Sequence, residues 1–465
     1  MTTKRALGSS FRDPAGFVFQ DQGVIKRAVT RFGQKDYDQL KGSGLYERLI
    51  QNQWLVPHAE DTAPLEVNLY KILVPERIPV ITYPYEWCSS QLKEAALLTL
   101  KIQLLALEHD MSLEDANPFN IQWKEGSPVL IDTLSFEPFK ERPWFAYRQF
   151  CETFLAPLVL MAHVKADINR SLSVDLGGIN LSFCSRNLPF FTWFHLRYLA
   201  HIHLHALSQE KFNCASDDSS RRRLPASFQF SKIRMVSLVR SLLEFTKGIH
   251  LKKRQTIFGD YYADCAHYSK EADAFKVRQI QLWAAEPSLA RVRQVLDLGA
   301  NNGKFSRIFT KKDLLTVSVD SDPYCVEENY LLSREENNKR MLPLLMDLTN
   351  PSPDLGWDTN ERTSFFKRVQ PDLVLALALI HHLRIGHNVP TALIADFFSK
   401  LAPALIIEFV PKSDPMVQKL LANRDDIFHD YDEQNFEAAF GQGFTIAQKV
   451  RIPDTQRTLY FLRRS

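Results

Sequence analysis

From Val295 to the C-terminus the chain alternates short apolar runs with longer stretches of helical periodicity. The runs are Val295–Leu298, Thr316–Val319, Leu342–Leu345, Leu373–Ala378, Ala404–Glu408, Phe444–Lys449 and Thr458–Leu462. Runs this short and this apolar suit strands buried on both faces, and the helical stretches between them supply the crossovers that parallel pairing requires. The alternation predicts an α/β fold with a doubly wound, mostly parallel seven-stranded sheet. Only the loop Val450–Arg457 separates the last two runs, so the sheet is expected to end in an antiparallel hairpin. A chain of 465 residues also exceeds the roughly 250–300 at which single hydrophobic cores stop growing. A boundary near residue 255 therefore gives a C-terminal domain, 256–465, and an N-terminal α+β domain, 1–255, helical from about 144 onward.

In the N-terminal half, Phe17 to Ile25 folds back at Asp21–Gly23 as a hairpin signal. Leu40–Leu55 and Leu92–Leu107 suit helices, and Glu66–Leu73 and Pro79–Tyr85 are expected to be extended. Asn120–Trp123 and Pro128–Ile131 suit two short strands. With 45% hydrophobic and 24% charged residues the chain is globular rather than disordered. Its six cysteines have no CxxC spacing, which suits buried thiols in a reducing compartment and neither a zinc ribbon nor a redox pair. The start, Met1-Thr-Thr-Lys-Arg-Ala, lacks an apolar h-region, and the longest apolar run, Phe154–Ala162, is too short to span a bilayer. A cytoplasmic protein with no membrane partner is expected.

The densest chemistry lies in Val295-Leu-Asp297-Leu-Gly299-Ala300-Asn301-Asn-Gly303-Lys-Phe-Ser306. A strand ends in an acid, a tight turn carries two glycines, and a helix follows. Backbone can then approach a ligand closely while helix N–H groups point at it. The spacing departs from the G-x-G-x-x-G of dinucleotide folds. It resembles the first motif of class I S-adenosylmethionine-dependent methyltransferases, and the later elements follow in the order that this resemblance implies. Asp297, Gly299, Ala300, Asn301 and Gly303 would then form the cofactor turn. Asp320 with Ser321 would meet the ribose, and Asp347 with Leu348 the adenine. Ala376, on the fourth strand, would also contact the cofactor, and Tyr268, in the segment Tyr261–Lys270, would close over S-adenosylmethionine. No metal is implied.

Beyond the fourth strand stands Ala378-Leu-Ile-His381-His382. Nucleic-acid amino-methyltransferases offer an Asn/Asp-Pro-Pro-aromatic tetrad here, so base methylation is disfavoured and nucleic acid is not the expected partner. His381, and after it His382, is the candidate general base for an O-methyl transfer, with strand capping or packing as the alternative. Glu408 either orients substrate or ends the sheet.

In the N-terminal half, Asp115-Ala-Asn-Pro-Phe-Asn120 is followed by a hairpin and by Pro128-Val-Leu-Ile-Asp132. The spacing resembles the catalytic and metal loops of protein-kinase-like folds, with Tyr83-Pro-Tyr-Glu86-Trp87 as the hinge and Lys26 or Lys71 as the phosphate-pairing lysine. That likeness implies metal-ligand roles for Asn120 and Asp132 and a role as base or substrate orienter for Asp115. No glycine-rich loop accompanies it, so a pseudokinase scaffold is the alternative to phosphotransfer. His195, His201, His203 and His205 cluster in sequence, as packing histidines rather than a metal site. From Arg221 to Arg254 there are ten Lys/Arg and the single acid Glu244, although the whole chain has a net charge of only +3. This suits an anion-attracting or solvated helix face. Taken whole, the order of motifs is similar to bacterial nodulation-methyltransferase-like proteins. That resemblance does not fix a substrate; the expected function is transfer of methyl from S-adenosylmethionine to oxygen on a small molecule or glycan.

Overall fold

The structure, a computed structural model, describes residues 6–62, 68–214, 230–252, 269–422 and 424–465, with backbone alone at 210–214. It comprises two compact units, Met1–Lys252 with Pro353–Ser364, and Lys253–Ser352 with Phe365–Ser465. The insertion of 353–364 into the first unit departs from a single cut at residue 255. Within that unit, Glu361 is nearly buried and ion-paired to Arg12 at 2.5 Å, and Arg362 lies over the Phe119 ring at 4.4 Å. These contacts tie the polar stretch to the first unit.

The first unit opens with β1 (Gly16–Asp21) and β2 (Val24–Thr30), joined at Gln22 and Gly23, both with positive φ. With β3 (His58–Glu60) and β4 (Leu69–Pro75) they form an antiparallel sheet in the order β1-β2-β4-β3. The expected helix over Leu40–Leu55 is instead two helices, Gln34–Gly42 and Leu45–Gln51. Gly44, at φ +76°, breaks the run, a left-handed backbone that glycine adopts without a Cβ penalty. Pro79–Tyr85 is not a strand; its prolines lack ladder donors, and the Thr82 N–H bonds the buried Gln122 side chain at 2.8 Å. The long helix Ser89–Glu108 carries two short sheets at its end. These pair β5 (Met111–Leu113) with β8 (Phe136–Pro138) and β6 (Ile121–Lys124) with β7 (Ser127–Leu130).

The second unit holds a mixed sheet of β9 (Gln294–Leu298), β10 (Leu315–Asp320), β11 (Met341–Leu345), β12 (Leu373–Ala376), β13 (Ala404–Phe409), β14 (Phe444–Arg451) and β15 (Thr458–Arg464). Its order is β11-β10-β9-β12-β13-β15-β14. The first five are parallel, and β15 runs antiparallel between β13 and β14. The chain enters at β9 in the middle, builds outward to β11, then returns to β12 on the other side. Open parallel sheets bind ligands at the carboxyl ends of the strands beside such a reversal. Side-chain caps fix the flanking helices: Asp322 Oδ1 accepts from Tyr324 N–H at 2.8 Å ahead of Pro323–Glu335, and Ser269 Oγ accepts from Ala272 N–H at 3.0 Å ahead of Lys270–Ala284. Beneath the sheet, Trp283, Phe309, Leu375, Ile406 and Phe461 share one apolar core.

Candidate active site

A cavity opens at the carboxyl edge of β9, β10 and β12. It is lined by Asp297 to Asn301, Phe305, Val319 to Ser321, Met346 to Thr349, Leu377 to Leu379 and His382, with Asp273 and Lys276 from the Lys270–Ala284 helix. Gly299 adopts φ +74° at the strand exit, and a Cβ there would press Leu379 at 3.3 Å. The next turn residue, Asn301, is also left-handed at φ +51°. The turn is held by Asp320, whose Oδ2 accepts from Asn301 N–H at 2.8 Å and whose Oδ1 accepts from Asp322 N–H at 2.9 Å. Burial pushes the Asp320 carboxyl above its ordinary value in spite of these bonds.

Asp297 is almost fully buried, and its Oδ2 accepts from Ser306 Oγ at 2.5 Å. Burial raises its pKa to about 7. In the free protein this carboxyl binds a proton more readily than in the unfolded chain. It therefore takes stability away as pH rises from the ordinary carboxylate value through about 7. A ligand ammonium beside it would favour the ionised form. Affinity for a ligand that carries such an ammonium should accordingly rise as pH increases through about 7 and then level off. Calorimetry across that range should show a flattened profile for Asp297→Asn.

Asp347 Oδ1 accepts from the Thr349 N–H at 2.8 Å and hydroxyl at 2.7 Å, which turns the chain so that Leu348 lines the cavity. Lys276, buried, pairs with Glu408 Oε2 at 2.5 Å, and its Nζ lies 4.6 Å from the centre of the Phe305 ring. Glu408 in turn meets Arg457 at 3.3 Å, and Arg457 is bonded to Asp414 at 2.6 and 3.0 Å. Burial lowers the Lys276 pKa, against the pull of Glu408.

Three sequence expectations change place. Gly303 does not line the cavity; a Cβ there would fall within 2.3–2.7 Å of the Asn329 side chain, so this glycine lets the turn sit on the Pro323–Glu335 helix. Ala376 is buried inside β12, and Leu377, Ala378 and Leu379 face the cavity instead. Of the histidine pair, His382 lines the cavity while His381, 2% exposed, does not. The reason is the wide π-type turn His382–Gly386, which swings the second ring outward. The two rings lie 4.3 Å apart, and burial lowers both pKa values, that of His381 further. Tyr268 lies outside the described residues. Asp273, Lys276, Phe305, Met346 and Thr349 carry no local motif, and reading the sequence missed them.

In the first unit, Asn120 Nδ2 donates to Asp115 Oδ2 at 2.9 Å. Burial, and then the neighbouring charge of Asp132, raises the Asp115 pKa. Asp132 is ion-paired to Arg27. Burial pushes the Asp132 carboxyl up, but the guanidinium outweighs it and holds the group below its ordinary value. Neither expected lysine meets it: Lys26 is bonded to Asp21 and Asp61, and Lys71 to Glu60. His201 bonds Tyr147 and Ser241, and His203 bonds Ser185 and Thr192. Among the described residues no cluster of His, Cys, Asp or Glu is placed to hold a metal. No helix among them is long and apolar enough to cross a membrane.

The chain is 33% identical to nodulation protein NoeA of Rhizobium meliloti (strain 1021) over 99% of its own length and 96% of that protein's. It belongs to the NoeA family. No protein-family model matches it. Among solved structures, the bifunctional kinase-methyltransferase WbdD is similar to this NoeA-family chain over 45% of it and 43% of WbdD, at 18% identity and a TM-score of 0.32. Magnesium protoporphyrin IX methyltransferase (ChlM) of Synechocystis PCC 6803 is similar over 42% of the chain and 84% of its own, at 19% identity and a TM-score of 0.31.

Proposed function

We propose that this chain is an S-adenosylmethionine-dependent methyltransferase of Rossmann-like fold, with the cofactor in the C-terminal cavity and oxygen on a small molecule or glycan as the acceptor. The observation that carries the reading is the convergence of Asp297, the Gly299–Asn301 turn, Asp320 and the Asp347–Leu348 pair on one cavity at the strand ends. The residues fit the group. Asp297 offers a buried carboxylate to an ammonium, and Lys276 offers a cation to a carboxylate. Asp320 offers acceptor lone pairs to a ribose diol, and Leu348 with Met346 offers an apolar bed for adenine. When bound, the cofactor supplies a methyl group on cationic sulfur, open to in-line displacement.

What the chain adds is position and a proton acceptor. His382, kept neutral by burial, takes the proton of the acceptor hydroxyl on a ring nitrogen as the oxygen attacks. Apolar neighbours Leu379 and Leu383 exclude water from that oxygen. His382→Ala should lower kcat by on the order of 100-fold or more while leaving S-adenosylhomocysteine affinity nearly unchanged. The acceptor is found by incubating the protein with methyl-labelled cofactor and fractionated cell extract. Label transferred to a hydroxyl-bearing metabolite or glycan supports the reading; label on nucleic acid or protein alone contradicts it.

A further inference from the structure

The first unit shows a reversal of ordinary burial at residues 190–196. Phe190, Phe194 and Leu196 are 75%, 78% and 77% exposed, with Phe191 more than half exposed beside them. Single exposed apolar residues are ordinary, but four within seven positions form a patch. Thr192 faces the other way. Thr192 is buried and its Oγ1 meets Pro189 O at 2.7 Å and His203 Nε2 at 2.9 Å, while Trp193 stacks on His203 at 4.1 Å. The loop is therefore fixed from beneath while the Phe190 and Phe194 rings, 5.4 Å apart, stand outward together.

Beside the loop lies the helix Lys232–Lys247, which carries Lys232, Arg234, Arg240 and Lys247 of the basic stretch. Arg197 Nη1 donates to Glu244 O at 3.1 Å, His201 Nε2 lies 3.0 Å from Ser241 Oγ, and Tyr198 packs on Phe245 at 4.7 Å. The exposed side of this tied pair presents Arg197, Arg234, Arg240 and Lys247 against one acid, Glu244, together with Ile233 at 79% exposure. An apolar tip beside a cationic shoulder is complementary to one environment in particular. The phosphates of an anionic bilayer meet the cations, and the headgroup–acyl boundary takes the rings.

We propose that Phe190, Phe191, Phe194 and Leu196, flanked by Arg197, Arg234 and Arg240, dock the protein peripherally on an anionic phospholipid bilayer. This revises the expectation of no membrane partner and is independent of the cofactor reading.

Flotation of the full-length protein with phosphatidylglycerol–phosphatidylcholine vesicles, against phosphatidylcholine alone, tests it. The wild type should float with the anionic vesicles only and be released at high salt. Phe190→Ser/Phe194→Ser should lower binding by on the order of tenfold or more, and Arg234→Ser/Arg240→Ser should abolish the preference for anionic lipid. All four side chains are exposed, so the variants should keep the wild-type circular dichroism and Tm. No binding to anionic vesicles, or binding unchanged in the phenylalanine variant, would overturn the proposal. So would a lipid-free dimer that Phe190→Ser/Phe194→Ser dissociates, because a second copy would then cover the patch.

Discussion

Asp320→Ala should weaken S-adenosylhomocysteine binding by about 100-fold, measured calorimetrically, with the fold retained. The carboxylate sits at the exit of β10 and does two jobs. Its oxygens already hold the Asn301 and Asp322 N–H groups, and so fix the left-handed turn whose backbone faces the cavity. In the proposed complex its remaining lone pairs would accept from a ribose diol. A hydrogen bond to a charged group contributes about 1.5–3 kcal/mol. Losing a two-fold contact while loosening the turn therefore corresponds to roughly two decades in affinity. Asp320→Asn keeps one acceptor oxygen and should lose about tenfold. Equal affinity in the wild type and both variants would remove Asp320 from the site.

The second large effect is on stability. Glu408→Ala should destabilise the second unit by about 3–5 kcal/mol, because it leaves the buried Lys276 and Arg457 without their shared carboxylate. For a unit of this size that is a fall in Tm on the order of 10 °C, visible by calorimetry. Glu408→Gln retains the shape and an acceptor but not the charge, and should fall between the two. Asp414 is already engaged with the far side of Arg457 at 2.6 and 3.0 Å, so it does not take the place of Glu408 in the alanine variant. A Tm unchanged in Glu408→Ala would mean that the two cations find other partners or water.

The C-terminal half was largely legible because its strands, the exposed edge strand β14 excepted, are largely buried, which makes them short continuous apolar runs. Each of the seven expected runs overlaps an observed strand, and the closing hairpin follows from the short Val450–Arg457 loop. The turn proposed to hold the cofactor was legible in part. Gly299, Ala300 and Asn301 line the cavity, whereas spacing alone cannot distinguish a glycine that admits a ligand from one that admits a neighbouring helix. Gly303 is the second kind, and Asn329, its reason, lies 26 residues away in sequence. The choice between His381 and His382 turns on the local winding of one loop, which no residue pattern announces. Lys276 was invisible because its partner Glu408 is 132 residues distant and becomes its neighbour only through the fold. In the first unit, the Asp115–Asn120 hydrogen bond and the short strands around it follow the motif's spacing. Arg27 facing Asp132, by contrast, depends on how β2 packs, and single-sequence periodicity gives no access to that.

The central claim is that the cavity at the ends of β9, β10 and β12 binds S-adenosylmethionine. It is tested most directly by titrating S-adenosylhomocysteine into the full-length wild-type protein in a calorimeter above pH 7, where Asp297 is ionised. The expected result is saturable binding that Asp320→Ala weakens by about two decades without loss of circular dichroism. No heat from a folded wild-type protein, together with no shift in Tm at saturating ligand, would contradict it.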